Sequence, residues 1–334
     1  MALADNTKDA AAPGSNAGSI AGPDMGAISG LRAALSAGLI GHEHLIERLL
    51  IGLLTGGHVL IEGAPGLAKT RSVRWLADAM DGQFARIQST PDLLPSDLTG
   101  TPVYRPETGE FEFVPGPVFH NLVLVDEINR APPKVQSALL EAMAERQVTA
   151  GGATHPLPDP FLVVATQNPI EQEGTFPLPE AQLDRFLLHV VLELPDAATE
   201  RRILDLVEAE QQQPPPSAPG IAIDDILAAR RDAMAVHLSP LLRDYIVRLV
   251  TASRQAPFVA DVEHPISPRG TLGLAAAAKA RAYLHGRGHA LPEDVEAVAA
   301  DVLAHRLILR WRAIADGRTA RAMVADILAA TDAL

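Results

Sequence analysis

The sequence predicts an α/β fold, a parallel sheet wrapped by helices, followed by an all-helical region. Three observations carry this. Short apolar runs at 58–62, 83–88, 121–126, 161–166 and 187–194 alternate with helix-like patterns. A parallel sheet with crossover helices reads this way. The first run leads into a glycine-bearing loop and then a helix, a strand–loop–helix unit with a phosphate-binding signature. After Pro195 the strands stop, and helical spacing dominates to the end.

Residues 1–28 are rich in Ala, Gly, Ser, Asp and Asn without periodicity, which reads as a mobile tail. Apolar spacing from Leu31 to Leu54 suits one or two helices. The first strand then enters Gly63-Ala64-Pro65-Gly66-Leu67-Ala68-Lys69-Thr70, and Val73, Leu76 and Met80 continue it as a helix. Loop amides and the helix N-terminus point at an anion, and Lys69 adds a fixed charge. Thr70 is placed to give its hydroxyl to Mg²⁺. The general pattern has glycine where Ala68 stands, and an alanine fits there only with φ < 0.

Between the second and third strands, residues 101–114 read as a β-hairpin. Glu107-Thr108-Gly109-Glu110 is turn-like, and Phe111-Glu112-Phe113 alternates with period two. Aromatics are only 4 % of the chain, yet Tyr104, Phe111 and Phe113 collect here. They either pack beneath the hairpin or serve an interface. A second hairpin is expected over 147–157 around Gly151-Gly152.

The run Asn121–Val125 ends in Asp126-Glu127. Ligands collect at the carboxyl ends of buried parallel strands. Asp126 can hold the Mg²⁺ shell, and Glu127 can activate a water for attack on a γ-phosphate. The next strand ends in Gln167-Asn168-Pro169, where Asn168 either holds that water or starts an Asx turn before the proline. Arg185, in Glu180-Ala-Gln-Leu-Asp184-Arg185-Phe186, is either an arginine finger for a neighbouring subunit or a partner of Asp184 or Glu180. Arg269 lies near the start of an alanine-rich helix, where positive charge opposes the helix dipole.

The ordered set GAPGLAKT, LVLVDEINRAPPKVQSALLEAMAERQVT, ATQNP, EAQLDRF and SPRG resembles the MoxR family of AAA+ ATPases, from about Leu39 to the C-terminal helices. The resemblance implies an AAA+ P-loop domain over 29–195, a helix-2 insert at about 99–118, and a helical lid over 196–334. It implies Walker A at 63–70, Walker B at 121–127, sensor 1 at Asn168, an arginine finger at Arg185 and sensor 2 at Arg269, acting in cis or in trans. Ile40 and Gly41 match the segment that holds adenine, with His42 where a glutamine is usual. Arg130 lies next to the site. The resemblance further implies ATP and Mg²⁺ as cofactors, a hexameric ring, and a partner with a von Willebrand A domain. The insert would project toward the ring pore or that partner. The activity implied is remodelling, maturation or cofactor insertion of a client. A chelatase-like motor and a DNA-translocating ATPase are the alternatives.

Composition agrees. The chain has 334 residues, 47 % of them apolar, enough for two domains with real cores. No apolar run is long enough to span a bilayer. The N-terminus shows no basic segment followed by an apolar core, so a cytoplasmic protein is expected. The absence of cysteine excludes disulfides and thiolate metal sites. A net charge of −13 argues against general nucleic-acid binding, though a locally basic pore fits it. The eleven histidines form no metal pattern.

Overall fold

The computed structural model describes residues 26–169, 174–212 and 220–333. Most of the expected N-terminal tail, and the prolines of the break expected at 211–216, lie outside the described residues.

Helices α1 (Gly26–Gly38) and α2 (Glu43–Thr55) come first. There follow β1 (Val59–Gly63), α3 (Lys69–Asp78), β2 (Phe84–Gln88), α4 (Pro95–Thr99), β3 (Gly100–Arg105), β4 (Glu110–Pro115), β5 (Leu122–Asp126) and α5 (Pro133–Glu145). Next are β6 (Gln147–Ala150), β7 (Ala153–Pro156), β8 (Leu162–Gln167), α6 (Glu180–Leu183) and β9 (Leu188–Leu192). The helical region holds α7 (Ala197–Gln212), α8 (Ile223–Ala235), α9 (Pro240–Ala252), β10 (Val262–His264), α10 (Pro268–Leu284), α11 (Pro292–Leu303), β11 (Ile308–Leu309), α12 (Trp311–Ala315) and α13 (Ala320–Ala330). None of the described helices is long and apolar enough to cross a membrane.

The main sheet is parallel, in the order β2-β5-β8-β1-β9. Its inner strands bury both faces. Val59, Ile61, Leu122, Leu124, Leu162 and Val164 face one core layer, shared with α1, α2 and α3. Leu60, Val123, Val125, Val163 and Ala165 face the other, shared with α5. Two buried faces leave no polar alternation, so these strands read as unbroken apolar runs.

The first core layer continues into the helical region through residues such as Leu274, Ala277, Val298 and Val302. A buried ion pair reinforces the junction. Arg48 of α2 donates from Nε to Asp301 Oδ2 of α11 at 2.7 Å, and Arg321 of α13 donates to Oδ1 at 2.7 Å. Burial works against the Asp301 carboxylate, but the hydrogen bond from His44 and the Arg48 charge outweigh it and hold its pKa well below the usual range.

Among the described residues, the helical region contains one short ribbon. Helical spacing dominates the sequence after Pro195, but α11 ends at Leu303, and β11 pairs antiparallel with β10. Strands of two and three residues are too short to leave a period-two signal.

Both hairpins form where expected. β3 pairs with β4, placing Tyr104 opposite Phe111, and β6 pairs with β7. The three insert aromatics do not act together, however. Tyr104 and Phe111 are 52 % and 73 % exposed, their rings 5.4 Å apart. Phe113 is half-buried, stacked at 4.0 Å on His155 of the second hairpin and at 5.7 Å from Phe119. On a two-stranded ribbon, residue 111 and residue 113 share a face. Only the second lies near the base, where the other hairpin can cover it.

Candidate functional site

Gly63, Asp126 and Gln167 end three neighbouring strands, β1, β5 and β8. The crevice outside the carboxyl ends of parallel strands is where such sheets bind ligands. Residues 63–70 turn from β1 into the first turn of α3. Gly66 takes φ +86°, a conformation that side chains disfavour. Ala68 takes φ +52°, which overturns the expectation of a negative value. Ala68 is the N-cap of α3, and its carbonyl accepts the Ser72 N–H at 2.8 Å. Holding an alanine there costs about 1–2 kcal/mol.

Lys69 Nζ donates to the Gly63 carbonyl and, at 3.3 Å, to the Gln167 carbonyl. The ammonium thus sits between the ends of β1 and β8. Thr70 Oγ1 donates to Asp126 Oδ1 at 3.0 Å, and Thr166 Oγ1 donates to the same oxygen at 3.2 Å. The other Asp126 oxygen accepts from Arg86 Nε at 2.7 Å. Glu127 takes φ +55°, and its N–H donates to Thr166 Oγ1 at 3.0 Å. Its carboxylate meets Arg130 Nε at 3.2 Å and Gln88 Nε2 at 3.3 Å. Strained backbone of this kind collects at functional sites. Asn168 is buried, and with Lys69, Thr70, Asp126 and Glu127 it lines one cleft of about 400 Å³. Beneath the loop, His189 Nε2 lies 2.8 Å from Glu62, and that hydrogen bond holds the Glu62 carboxyl below its usual range despite burial.

A hollow of about 90 Å³ adjoins the cleft at Gly66–Ala68. Leu39, Ile40 and His42 form one wall, and Ile203, Leu206 and Val207 of α7 form the other. Burial lowers the His42 pKa, so the ring is neutral at pH 7. Gly41 lines the next hollow, at φ +78°, and a Cβ there would stand 2.3 Å from Thr199 Cγ2. Only glycine lets the segment approach α7 this closely.

The two remaining arginines lie elsewhere. Arg185 donates to the Leu140 carbonyl at 2.7 Å and lines a separate hollow with Ser137, Glu141 and Gln182. Arg269 pairs with Asp184 at 2.8 Å. Neither lines the phosphate-sized cleft. Asp184 thus pairs with Arg269, while Arg185 itself donates to a backbone carbonyl.

Sequence reasoning missed Arg86, Gln88, Thr166 and Arg306. Arg86 and Gln88 share one face of β2, and pairing with β5 sets them beside Asp126.

The chain matches the family model described as "ATPase family associated with various cellular activities (AAA)" over residues 58–188, and the "AAA lid domain" over 259–327. It is 47 % identical to Chaperone MoxR1 of Mycobacterium tuberculosis, covering 83 % of this chain and 74 % of that protein. The chain belongs to the MoxR family of AAA+ ATPases. This MoxR-family chain is also 35 % identical to Protein MoxR of Paracoccus denitrificans, over 83 % of its own length and 87 % of that protein. Among solved structures it resembles a candidate ATPase from Cytophaga hutchinsonii, with TM-score 0.84, 44 % identity, and coverage of 92 % and 94 % of the two chains. The parallel sheet with a helical C-terminal region is therefore a fold this MoxR-family chain shares with an experimentally determined relative.

Proposed function

We propose that the protein hydrolyses ATP in a ring, a hexamer, to remodel, mature or load a cofactor into a client protein. The observation that carries this is the convergence of Lys69, the Thr70–Asp126 pair, Glu127 and Asn168 on one cleft. The loop amides of 63–70 and Lys69 hold the β- and γ-phosphates. The Thr70 hydroxyl and Asp126 carboxylate are hard oxygen donors within 3.0 Å of each other, a set that suits Mg²⁺. The ion, when bound, neutralises charge on the phosphate oxygens. Glu127 accepts a proton from the attacking water, and Asn168 places that water. The bond from the γ-phosphorus to the bridging oxygen breaks, leaving ADP and phosphate. The adenine lies against Ile40 and Gly41, beside the apolar wall of α7.

Neither Arg185 nor Arg269 lines this chain's own cleft, which supports their action on a neighbour's nucleotide. The working division is 29–195 for the ATPase part, with the insert at about 99–118, and 196–334 for the lid. The family resemblance supports a partner with a von Willebrand A domain, and a cytoplasmic location is the reading of an N-terminus without a basic segment and apolar core. The name of the Mycobacterium tuberculosis relative supports the chaperone reading. The net charge of −13 argues against DNA translocation, and DNA-stimulated hydrolysis would support it.

The test is Glu127→Gln. The variant should bind ATP as the wild type does, hydrolyse it far more slowly, and accumulate ATP-bound oligomer. Near-normal turnover removes Glu127 from the role. A pull-down with this trap, read by mass spectrometry, then identifies the client.

A further inference from the structure

We propose that Asp184 is a positioning residue that joins Arg185 and Arg269 into one unit facing the neighbouring subunit's nucleotide. The proposal rests on the reading of both arginines as acting in trans.

Asp184 closes helix α6 immediately before Arg185. Its two carboxylate oxygens take different arginines from the lid. Oδ2 accepts from Arg269 Nη1 at 2.8 Å, and Oδ1 accepts from Arg306 Nε at 2.8 Å. Arg306 has a side chain only 2 % exposed. Its guanidinium also donates to the carbonyls of Asp184 at 3.3 Å, Phe186 at 2.7 Å and Leu187 at 3.2 Å. His305 Nε2 donates to the Phe186 carbonyl at 3.0 Å. The segment that bears Arg185 is therefore gripped from behind by two lid residues. Leu140, on α5, holds the Arg185 side chain from the front.

The two halves of the Asp184 contact differ in kind. Arg306 is buried and needs a counter-charge, since an unpaired buried charge is strongly destabilising. Arg269 is 57 % exposed and needs none. An exposed ion pair adds about 0–1 kcal/mol to stability. What it does here is to restrict a long side chain that otherwise samples many rotamers. Arg269 is the second residue of α10, where its charge opposes the helix dipole, and Ser267 supplies no side-chain cap. Asp184 thus ties the exposed Arg269 cation to the residue that precedes Arg185. A lid displacement that moves Arg269 or Arg306 is transmitted through one carboxylate to the segment carrying Arg185. The bland alternative is that Asp184 serves only to neutralise Arg306. That alternative makes Asp184 and Arg269 energetically independent in turnover.

The experiment is a complementation with a mutant cycle, on the full chain. Asp184→Asn should keep the ATP affinity of its own site and lose at least tenfold in kcat. In an Arg269→Ala background its cost in kcat should fall by at least threefold relative to the wild-type background, because part of its action runs through the residue already removed. Mixing Asp184→Asn subunits with Lys69→Ala subunits should restore turnover, since the second subunit brings an intact Asp184, Arg185 and Arg269 to the first subunit's site. Arg185→Ala mixed with Lys69→Ala is the control. Rescue of the control without rescue of Asp184→Asn overturns the positioning role alone. Failure of both, with mixed oligomers present, overturns the trans reading itself. Independent losses from Asp184→Asn and Arg269→Ala overturn the proposal in favour of the neutralising role. Should the asparagine variant fail to fold, Asp184→Glu keeps the charge for Arg306 and shifts it by one methylene. A loss in kcat under threefold then overturns the proposal, and a larger loss rescued by Lys69→Ala subunits supports it.

Discussion

Thr70 Oγ1 donates to Asp126 Oδ1 across 3.0 Å, joining residues 56 apart in sequence. Asp126 also accepts from Thr166 and Arg86, so its carboxylate is oriented from three sides. Lys69, one residue before Thr70, donates to the carbonyls that end β1 and β8. The two residues are therefore expected to fail differently. Asp126→Ala should bind ATP in a chelator as the wild type does, but lose the gain that Mg²⁺ confers and lose turnover. Lys69→Ala should lose ATP binding with or without Mg²⁺. Calorimetry in both conditions separates them, and an Asp126 variant that keeps its Mg²⁺ gain contradicts the assignment.

Ala68→Gly tests the left-handed turn. The alanine at φ +52° carries about 1–2 kcal/mol of strain. Glycine removes it but adds about 0.4–1 kcal/mol of unfolded-state entropy. The balance is a small gain, with the melting temperature unchanged or raised by a few degrees and ATP binding intact. A marked fall in melting temperature shows that the Ala68 methyl group makes packing contacts worth more than the strain.

The insert aromatics should separate into two classes. Tyr104→Ser with Phe111→Ser removes exposed rings, and surface changes of this sort usually stay within about 0.5 kcal/mol each. Melting temperature and basal turnover should hold, while stimulation by a partner weakens. Phe113→Ala removes a ring packed on His155 and Phe119. It should cost up to about 3 kcal/mol, the low end for a phenylalanine truncation because the ring is half-buried. Thermal unfolding of the two variants decides. Equal melting temperatures return Phe113 to the exposed group.

The sheet was legible because β1, β5 and β8 bury both faces and so show as unbroken apolar runs. The loop at 63–70 was legible because its chemistry is local in sequence. Its backbone was not, since nothing in the residues around Ala68 announces a positive φ. The Asp184–Arg306 contact spans 122 residues and leaves no local trace. Arg86 was hidden differently. The strand Phe84–Gln88 lies at an edge of the sheet, where polar residues are ordinary. Its value came only from pairing with β5, which sets Gln88 opposite Asp126.

His58, buried at the amino end of β1, makes stability depend on pH. This buried ring accepts the Val163 N–H at Nδ1, at 3.0 Å, and Nε2 lies 3.3 Å from the Met143 carbonyl. Both contacts are satisfied only by the neutral ring with its proton on Nε2. Burial, against the Met143 carbonyl and with the nearby Arg146 charge, lowers the pKa to about 4. The unfolded chain takes up this proton near pH 6.5. Between those values the unfolded state binds more protons, so stability is full above about pH 6.5 and falls as pH drops toward 4. The loss amounts to roughly 2–3 kcal/mol by pH 4.5. His305 is also pushed down by burial, so it acts in the same direction. Asparagine at 58 can accept the Val163 bond without a proton to gain, so His58→Asn should flatten part of the acid limb. Melting temperatures of wild type and variant from pH 7.5 to 4.5 measure the difference, and a His58 titration midpoint above 6 in the NMR spectrum contradicts the argument.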